Sequence, residues 1–178
     1  MRRSDLETEL MLRVAGGDED AMTVLFRHAY PDVRSLCARL TLDPDAADDL
    51  AQETFLRVLR FASGFRGEAS FATWVYRIAR NVCNDHIARR ARERRHALPV
   101  VESLTVEAPE RIETLRRALD ELSHEEREAV VLSRLRDMPY RQLAEVLECS
   151  EGAARVRVHR ALRRLREIMT RMEQANAL

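Results

Sequence analysis

Residues 139–166, PYRQLAEVLECSEGAARVRVHRALRRLR, carry the pattern that decides the fold. Leu143, Ala144 and Leu147 repeat at helical spacing, and Cys149-Ser150-Glu151-Gly152 interrupts them. Ala154, Val158, Ala161, Leu162, Leu165, Ile168 and Met169 then mark one stripe of a longer helix. Two helices joined by so short a turn make a helix–turn–helix. Its second helix is basic: Arg155, Arg157, Arg160, Arg163, Arg164 and Arg166 are joined by His159, with no acid between Arg155 and Arg166. Such a helix attracts phosphates, and its first turns fit a major groove, where side chains read base edges. The core stripe leaves Arg155, Val156, His159, Arg160 and Arg163 on the outer side.

Composition extends this reading to the whole chain. A length of 178 residues allows one domain or two small ones, and five glycines and five prolines leave little room for a turn-rich architecture. The expected fold class is all-α. All thirty basic residues are arginine; GC-rich coding accounts for this, as does selection of the planar guanidinium for phosphate binding. The formal net charge of zero hides segregation. Residues 1–65 sum to −4, 66–96 to +5, 97–126 to −5 and 127–171 to +5. Two basic blocks separated by an acidic one suggest two nucleic-acid surfaces on two modules, whereas solvated helix faces would mix the signs.

Several function classes fall away. No apolar run approaches the ~18–20 residues of a membrane span, so no membrane insertion is expected and the location should be cytoplasmic. Cys37, Cys83 and Cys149 are odd in number and widely spaced, which argues for reduced, largely buried thiols. Cys83 and His86 form a C-x-x-H pair without a second pair to complete a metal site, so neither metal nor cofactor is expected. Cys83, Asp85 and His86 are spread around a helix rather than converging, which argues against an enzyme.

The element pattern follows from caps and periodicity. A first helix follows Ser4-Asp5, carries Leu6, Leu10 and Val14, and ends at Gly16-Gly17. A second runs from Asp18 towards Leu40, with Pro31 expected to bend or break it near Tyr30. Asp43 and Pro44 should cap and open a third, with Leu50, Phe55, Val58 and Leu59 inward. After the loop 65–69, Ser70 or Ala69 starts a long helix to about Arg95 whose last third is almost purely basic. Residues 96–110, with Pro99 and Pro109, form an extended acidic linker. A second module opens with Ile112, Leu115, Leu119 and Leu122 on one face. Ser123 and Glu126 then form a capping box for a helix carrying Ala129, Val130, Leu132 and Leu135, and Pro139 opens the next helix.

Two blocks resemble a known family. DPDAADDLAQETFLRVLR (Asp43–Arg60) with FRGEASFATWVYRIARNVCNDHIARRARER (Phe65–Arg94) is similar to region 2 of bacterial sigma factors. LDELSHEEREAVVLSRLRDMPYRQLAEVLECSEGAARVRVHRALRRLR (Leu119–Arg166) is similar to their region 4. The family order of the blocks and the short spacer match the extracytoplasmic-function (ECF) group. The resemblance implies two small helical domains, residues 1–95 and 111–178, joined by the linker 96–110. It also implies a chain that binds core RNA polymerase, directs it to promoter DNA and helps open the duplex, without catalytic chemistry of its own.

Residue by residue, the resemblance assigns Asp48, Asp49, Gln52, Glu53 and Arg57 to polymerase docking, with Phe55 and Leu59 turned away. A solvated amphipathic helix with ion pairs worth ~0.2–0.5 kcal/mol each explains the same spacing. Arg66, Ser70, Arg77, Arg80, Asn81, Asp85, Arg89 and Arg90 are implied at the minus-ten element, where unstacked bases need donors, positive charge and flat surfaces. Tyr76 is of a suitable type there, while Phe71 and Trp74 suit a core better. Arg92, Arg94 and Arg95 would grip phosphates. Arg155, Val156, Arg157, His159, Arg160, Arg163 and Arg164 are implied at the minus-thirty-five duplex. Here the chain departs from the family's usual Gly-Thr-Val-basic-Ser pattern: Gly152-Ala153-Ala154-Arg155-Val156 lacks two hydroxyls that would bond phosphates or bases. Linker acids Glu102, Glu107 and Glu110 suit imitation of nucleic-acid charge or a plain solvated tether. By analogy an anti-sigma partner is expected. The alternative reading is a polymerase-independent helix–turn–helix regulator, which explains residues 111–171 and leaves the first block without a purpose.

Overall fold

A computed structural model describes residues 3–96, 110–134 and 138–176. Among them are eight α-helices and no strand: α1 (Arg3–Ala15), α2 (Glu19–Thr41), α3 (Ala47–Phe61), α4 (Phe71–His96), α5 (Glu110–Asp120), α6 (His124–Ser133), α7 (Tyr140–Val146) and α8 (Glu151–Asn176). The central linker residues 97–109 and Leu135 lie outside the described residues.

The caps explain most boundaries. Asp18 accepts the Ala21 amide at 3.0 Å and starts α2. Asp43 accepts the Ala46 amide at 3.1 Å, so it caps the turn Pro44–Ala46, and α3 proper begins three residues later than its sequence suggests. Ser70 accepts the Thr73 amide at 3.2 Å at the head of α4. The Ser123–Glu126 capping box forms in full, with Ser123 N–H donating to Glu126 at 2.9 Å and Glu126 N–H to Ser123 at 3.3 Å.

Three expectations need correction. Pro31 does not break α2, which is continuous through it. The ring is exposed and removes a single backbone donor. Leu25 and Ala29 before it and Val33, Leu36 and Leu40 after it all bury in the same core, so packing outweighs the lost bond. Leu59 is 49 % exposed and Leu115 41 % exposed rather than inward. The rest of each stripe holds: Leu50, Phe55 and Val58 bury on α3 and Leu119 and Leu122 on α5, where Ala118 joins them, so each leucine lies at the edge of its stripe.

Helices α1–α4 pack around Met11, Leu25, Leu36, Val58, Phe71 and Tyr76, all fully buried. Cys37 and Cys83 are buried there too; the Cys37 thiol beside Cys83 and then burial push the Cys83 thiol far up, so it is an inert neutral group. Helices α5–α8 close over Leu132, Leu143, Val146, Ala154, Val158 and Ile168. The two groups touch: α7 packs across α4, and α6 packs against α2.

Candidate nucleic-acid interfaces

On α8, positions 155, 156, 159, 160 and 163 span an arc of about 140° at about 100° per residue, opposite the buried stripe. All five side chains are exposed, and Arg157 and Arg164, also exposed, extend the arc beyond Arg160. The helix starts in water because Ser150 accepts the Ala153 amide at 3.2 Å and Glu148 takes a left-handed turn conformation at φ 54°. Arg155 is not a loose side chain. It donates to Glu151 at 2.9 Å, and its guanidinium sits 4.7 Å from the centre of the Tyr140 ring at the head of α7. Sequence reasoning missed Tyr140, because an aromatic at the first position of one helix carries no mark of its stacking partner fifteen residues on. Arg163 and Arg164 both lean towards Glu167, at 3.8 Å and 3.6 Å.

The face of α4 is less uniform. Arg77, Asn81, Asp85 and Arg89 follow one another at a four-residue spacing and are all exposed. Arg66 is exposed and Ser70 half-buried at the head of the helix. Asp85 is tied to α3 through Arg57 at 3.2 Å, and Arg90 points to the other side, where it pairs with Asp43. Tyr76 is only 2 % exposed and belongs to the core, as does Phe71; Trp74 packs at 5.2 Å from Phe65, centre to centre.

Arg80 is the exception on this face. Its Nε donates to Glu128 of α6 at 2.9 Å, and its side chain is 16 % exposed against 3 % for Glu128. Asn84 Nδ2 donates to the same carboxylate oxygen at 3.1 Å, and His124 Nε2 lies 2.8 Å from Asn84 Oδ1. Burial pushes the Glu128 carboxyl up, but the hydrogen bonds from His124, Arg80 and Asn84 prevail and hold it below the usual carboxylate range. Neither Asn84 nor Glu128 was singled out by sequence, since an acid inside a mixed-charge helix looks solvated.

The acidic stripe of α3 divides in two. Asp48 is held from inside by the Tyr30 hydroxyl at 2.6 Å and Arg34 Nε at 2.8 Å, and Arg34 followed by Tyr30 keeps its carboxyl below the ordinary range. Arg57 bonds Glu53 at 2.8 Å. Asp49 and Gln52 stand in water, and beside them Leu56 is 59 % exposed, with Leu59 close behind. An apolar residue four positions after Gln52 interrupts the polar stripe, a signal that could have marked Leu56 as a contact residue. Charge, amide and exposed leucine together suit a protein partner better than water alone.

Comparison with known proteins gives these surfaces their context. The Sigma-70 region 2 profile matches residues 25–93, and the Sigma-70 region 4 profile matches residues 112–165. The chain is 31% identical over 183 aligned residues to the RNA polymerase sigma-H factor of Pseudomonas aeruginosa, covering 90% of this chain and 92% of that one. It is 33% identical to the ECF sigma factor SigE of Mycolicibacterium smegmatis, covering 98% of this chain and 72% of the other. The sigma factor RpoE of Bartonella quintana, solved in complex with the anti-sigma factor NepR, superposes with a TM-score of 0.72 at 25% identity, over 82% of this chain and 94% of that one. CnrH, solved with the cytosolic domain of CnrY, shares the fold with a TM-score of 0.74 at 22% identity over 93% of this chain and 97% of that chain. Both diagnostic regions are present in order, and the sigma-H and SigE relatives match over 90% and 98% of this chain: the chain belongs to the ECF group of bacterial RNA polymerase sigma factors.

Proposed function

We propose that this sigma factor divides promoter recognition among three helices. On this reading α3 docks on core RNA polymerase through Asp49, Gln52, Glu53, Leu56 and Arg57. Asp48 shapes that surface from below, because its carboxylate is already bound by Tyr30 and Arg34. The loop before α4, with Arg66 and Ser70, and the α4 residues Arg77, Arg80, Asn81, Asp85 and Arg89 hold the opened minus-ten strand. Arg90 serves as a phosphate contact once it leaves Asp43. Helix α8 reads the minus-thirty-five duplex with Arg155, Val156, His159 and Arg160, while Arg157, Arg163 and Arg164 take phosphates. The functional units are residues 1–95, 96–110 and 111–178.

The observation that carries this reading is the exposed Leu56 beside Asp49 and Gln52 on α3. A regulator acting on DNA alone has no use for that surface, whereas a polymerase subunit does. No helix among the described residues is long and apolar enough to cross a membrane; a chain that works on polymerase and DNA is proposed to act in the cytoplasm. RpoE of Bartonella quintana is bound by an anti-sigma factor, and a partner of that kind, covering α3 and α4, is proposed here. The test is Leu56→Arg together with Asp49→Arg, each measured for core affinity and melting temperature. Loss of core binding at unchanged melting supports the docking face; unchanged affinity removes it.

A further inference from the structure

His86 on α4 holds the one buried side-chain polar atom among the described residues that finds no hydrogen-bond partner, its Nε2. The residue is 8% exposed and lies against Asp43, in the turn before α3. Arg89 Nη2 donates to its other ring nitrogen, Nδ1, at 3.2 Å. A guanidinium has no acceptor, so Nδ1 is the accepting nitrogen and the neutral ring carries its hydrogen on Nε2. That N–H faces Asp43 Oδ2 across 3.7 Å, beyond hydrogen-bond reach. An orphaned donor at this depth costs stability and calls for a reason.

The reason lies in the other partners of the carboxylate. Asp43 Oδ1 is committed to the Ala46 amide at 3.1 Å. Oδ2 is held by Arg90 Nη1, and the Arg90 side chain is 48% exposed, so a phosphate can approach it from water. Arg90 reaches that phosphate only by giving up Asp43. The Asp43 side chain is 18% exposed, so departure of the guanidinium leaves Oδ2 charged, largely shielded from water and without its donor. The same oxygen is the one that His86 Nε2–H faces. A movement of about half an ångström closes that gap to hydrogen-bond length. Once formed, the bond to Asp43 itself fixes the Nε2–H tautomer, and Arg89 is then free for the strand as well.

We infer that His86 is a positioning residue for promoter binding: its Nε2–H is the reserve donor that takes over the Asp43 carboxylate when Arg90 leaves it for a backbone phosphate. The exchange lowers the cost of freeing Arg90. The inference rests on the reading of Arg90 as a phosphate contact.

The test is a double-mutant cycle on His86 and Arg90 in holoenzyme, by anisotropy on the best fluorescein-labelled minus-ten strand recovered from a randomised pool. His86→Leu should weaken strand binding roughly 3–10-fold, the factor that one net hydrogen bond carries. His86→Gln keeps a donor near the Nε2 position and should bind as the wild type does. Arg90→Ala should weaken binding and reduce the salt slope by about 0.7, the share of one phosphate on a single strand. In that background His86→Leu should cost nothing further, because Asp43 then has the same partners with and without the strand. Melting of the free chain separates this role from a structural one: leucine in place of an orphaned donor should leave the melting temperature unchanged or raise it. If His86→Leu melts lower, His86→Met, a pliable filler of the same slot, repeats the cycle. The inference is overturned by a penalty of equal size with and without Arg90, by a penalty that follows melting temperature in both variants, or by unchanged strand affinity in a folded variant. A ring that carries its hydrogen on Nδ1 in nitrogen-15 correlation spectra of the free chain also overturns it. Unchanged affinity of Arg90→Ala overturns the phosphate reading itself, whereas a weakened Arg90→Ala beside a neutral His86→Leu strikes the exchange alone.

Discussion

Arg155 and Tyr140 offer a quantitative test of how α8 reads DNA. An arginine bidentate to guanine contributes ~1–3 kcal/mol of discrimination, so Arg155→Ala should weaken binding to a preferred minus-thirty-five duplex roughly 5–150-fold. Tyr140 touches no DNA on this account. Its ring stands 4.7 Å from the Arg155 guanidinium, and a cation–π contact at an exposed site is worth ~0.5–1 kcal/mol. The competing restraint, the 2.9 Å pair with Glu151, is an exposed i,i+4 pair worth ~0.3–0.5 kcal/mol, so the ring is the stronger guide. Tyr140→Leu keeps the apolar packing of a side chain that rests against the core, and should cost roughly 2–5-fold. Tyr140→Phe keeps the ring and should cost nothing. The assay is anisotropy of holoenzyme on the best duplex recovered from a randomised minus-thirty-five pool, run as a double-mutant cycle. The Tyr140→Leu penalty should vanish in the Arg155→Ala background. An equal penalty in both backgrounds, or a Phe variant as weak as Leu, would refute the positioning argument.

Leu56→Arg should lower affinity for core polymerase at least tenfold with no change in melting, because the leucine is 59 % exposed and contributes little to the fold; competition against a second sigma factor for limiting core measures it. Pro31→Ala should stabilise the first helical group by ~1–3 kcal/mol, since the exposed ring gives up one helix bond without packing in return; urea melts decide, and a destabilised variant would show that the ring has a hidden role. Ser123→Ala should destabilise the second group by ~0.5–2 kcal/mol through loss of the capping box. Glu128 is held below the ordinary glutamate value of 4.5, so its contribution is complete above that value and is lost as pH falls through the depressed one. Acid titration followed by scattering should show the chain expanding below about pH 4.5, and Glu128→Gln should abolish that step.

What could be inferred from sequence followed the reach of each signal. Caps and apolar periodicity are local, and they placed the starts of α6 and α7; α1 instead begins at Arg3, ahead of the expected Ser4-Asp5 start, and α8 at Glu151, inside the expected turn 149–152. The Ser123–Glu126 box formed as its spacing suggests. Pro31 misled because a local rule about one missing donor competes with five buried side chains on both sides of it, and packing won. Leu59 and Leu115 misled for a smaller reason: each sits at the edge of an apolar stripe whose other members are buried, and spacing alone does not show where the stripe ends. The outward arc of α8 was legible because a helix face with three arginines, a histidine and no acid belongs away from the core. The pairing of Glu128 with Arg80 and Asn84 was not legible, since it joins residues 48 and 44 positions apart across the two helical groups. Tyr140 and Arg155 escaped for the same reason, a contact made by fold and not by spacing.

The central claim is that this chain chooses where a polymerase starts. Mapping the 5′ ends of RNA made by core polymerase on a library of genomic fragments, with and without the purified chain, tests it directly. The account predicts a small set of sharp start sites that appear only when the chain is added and fade with Arg155→Ala. Identical 5′ ends in both reactions, with no chain bound to the core, would contradict it.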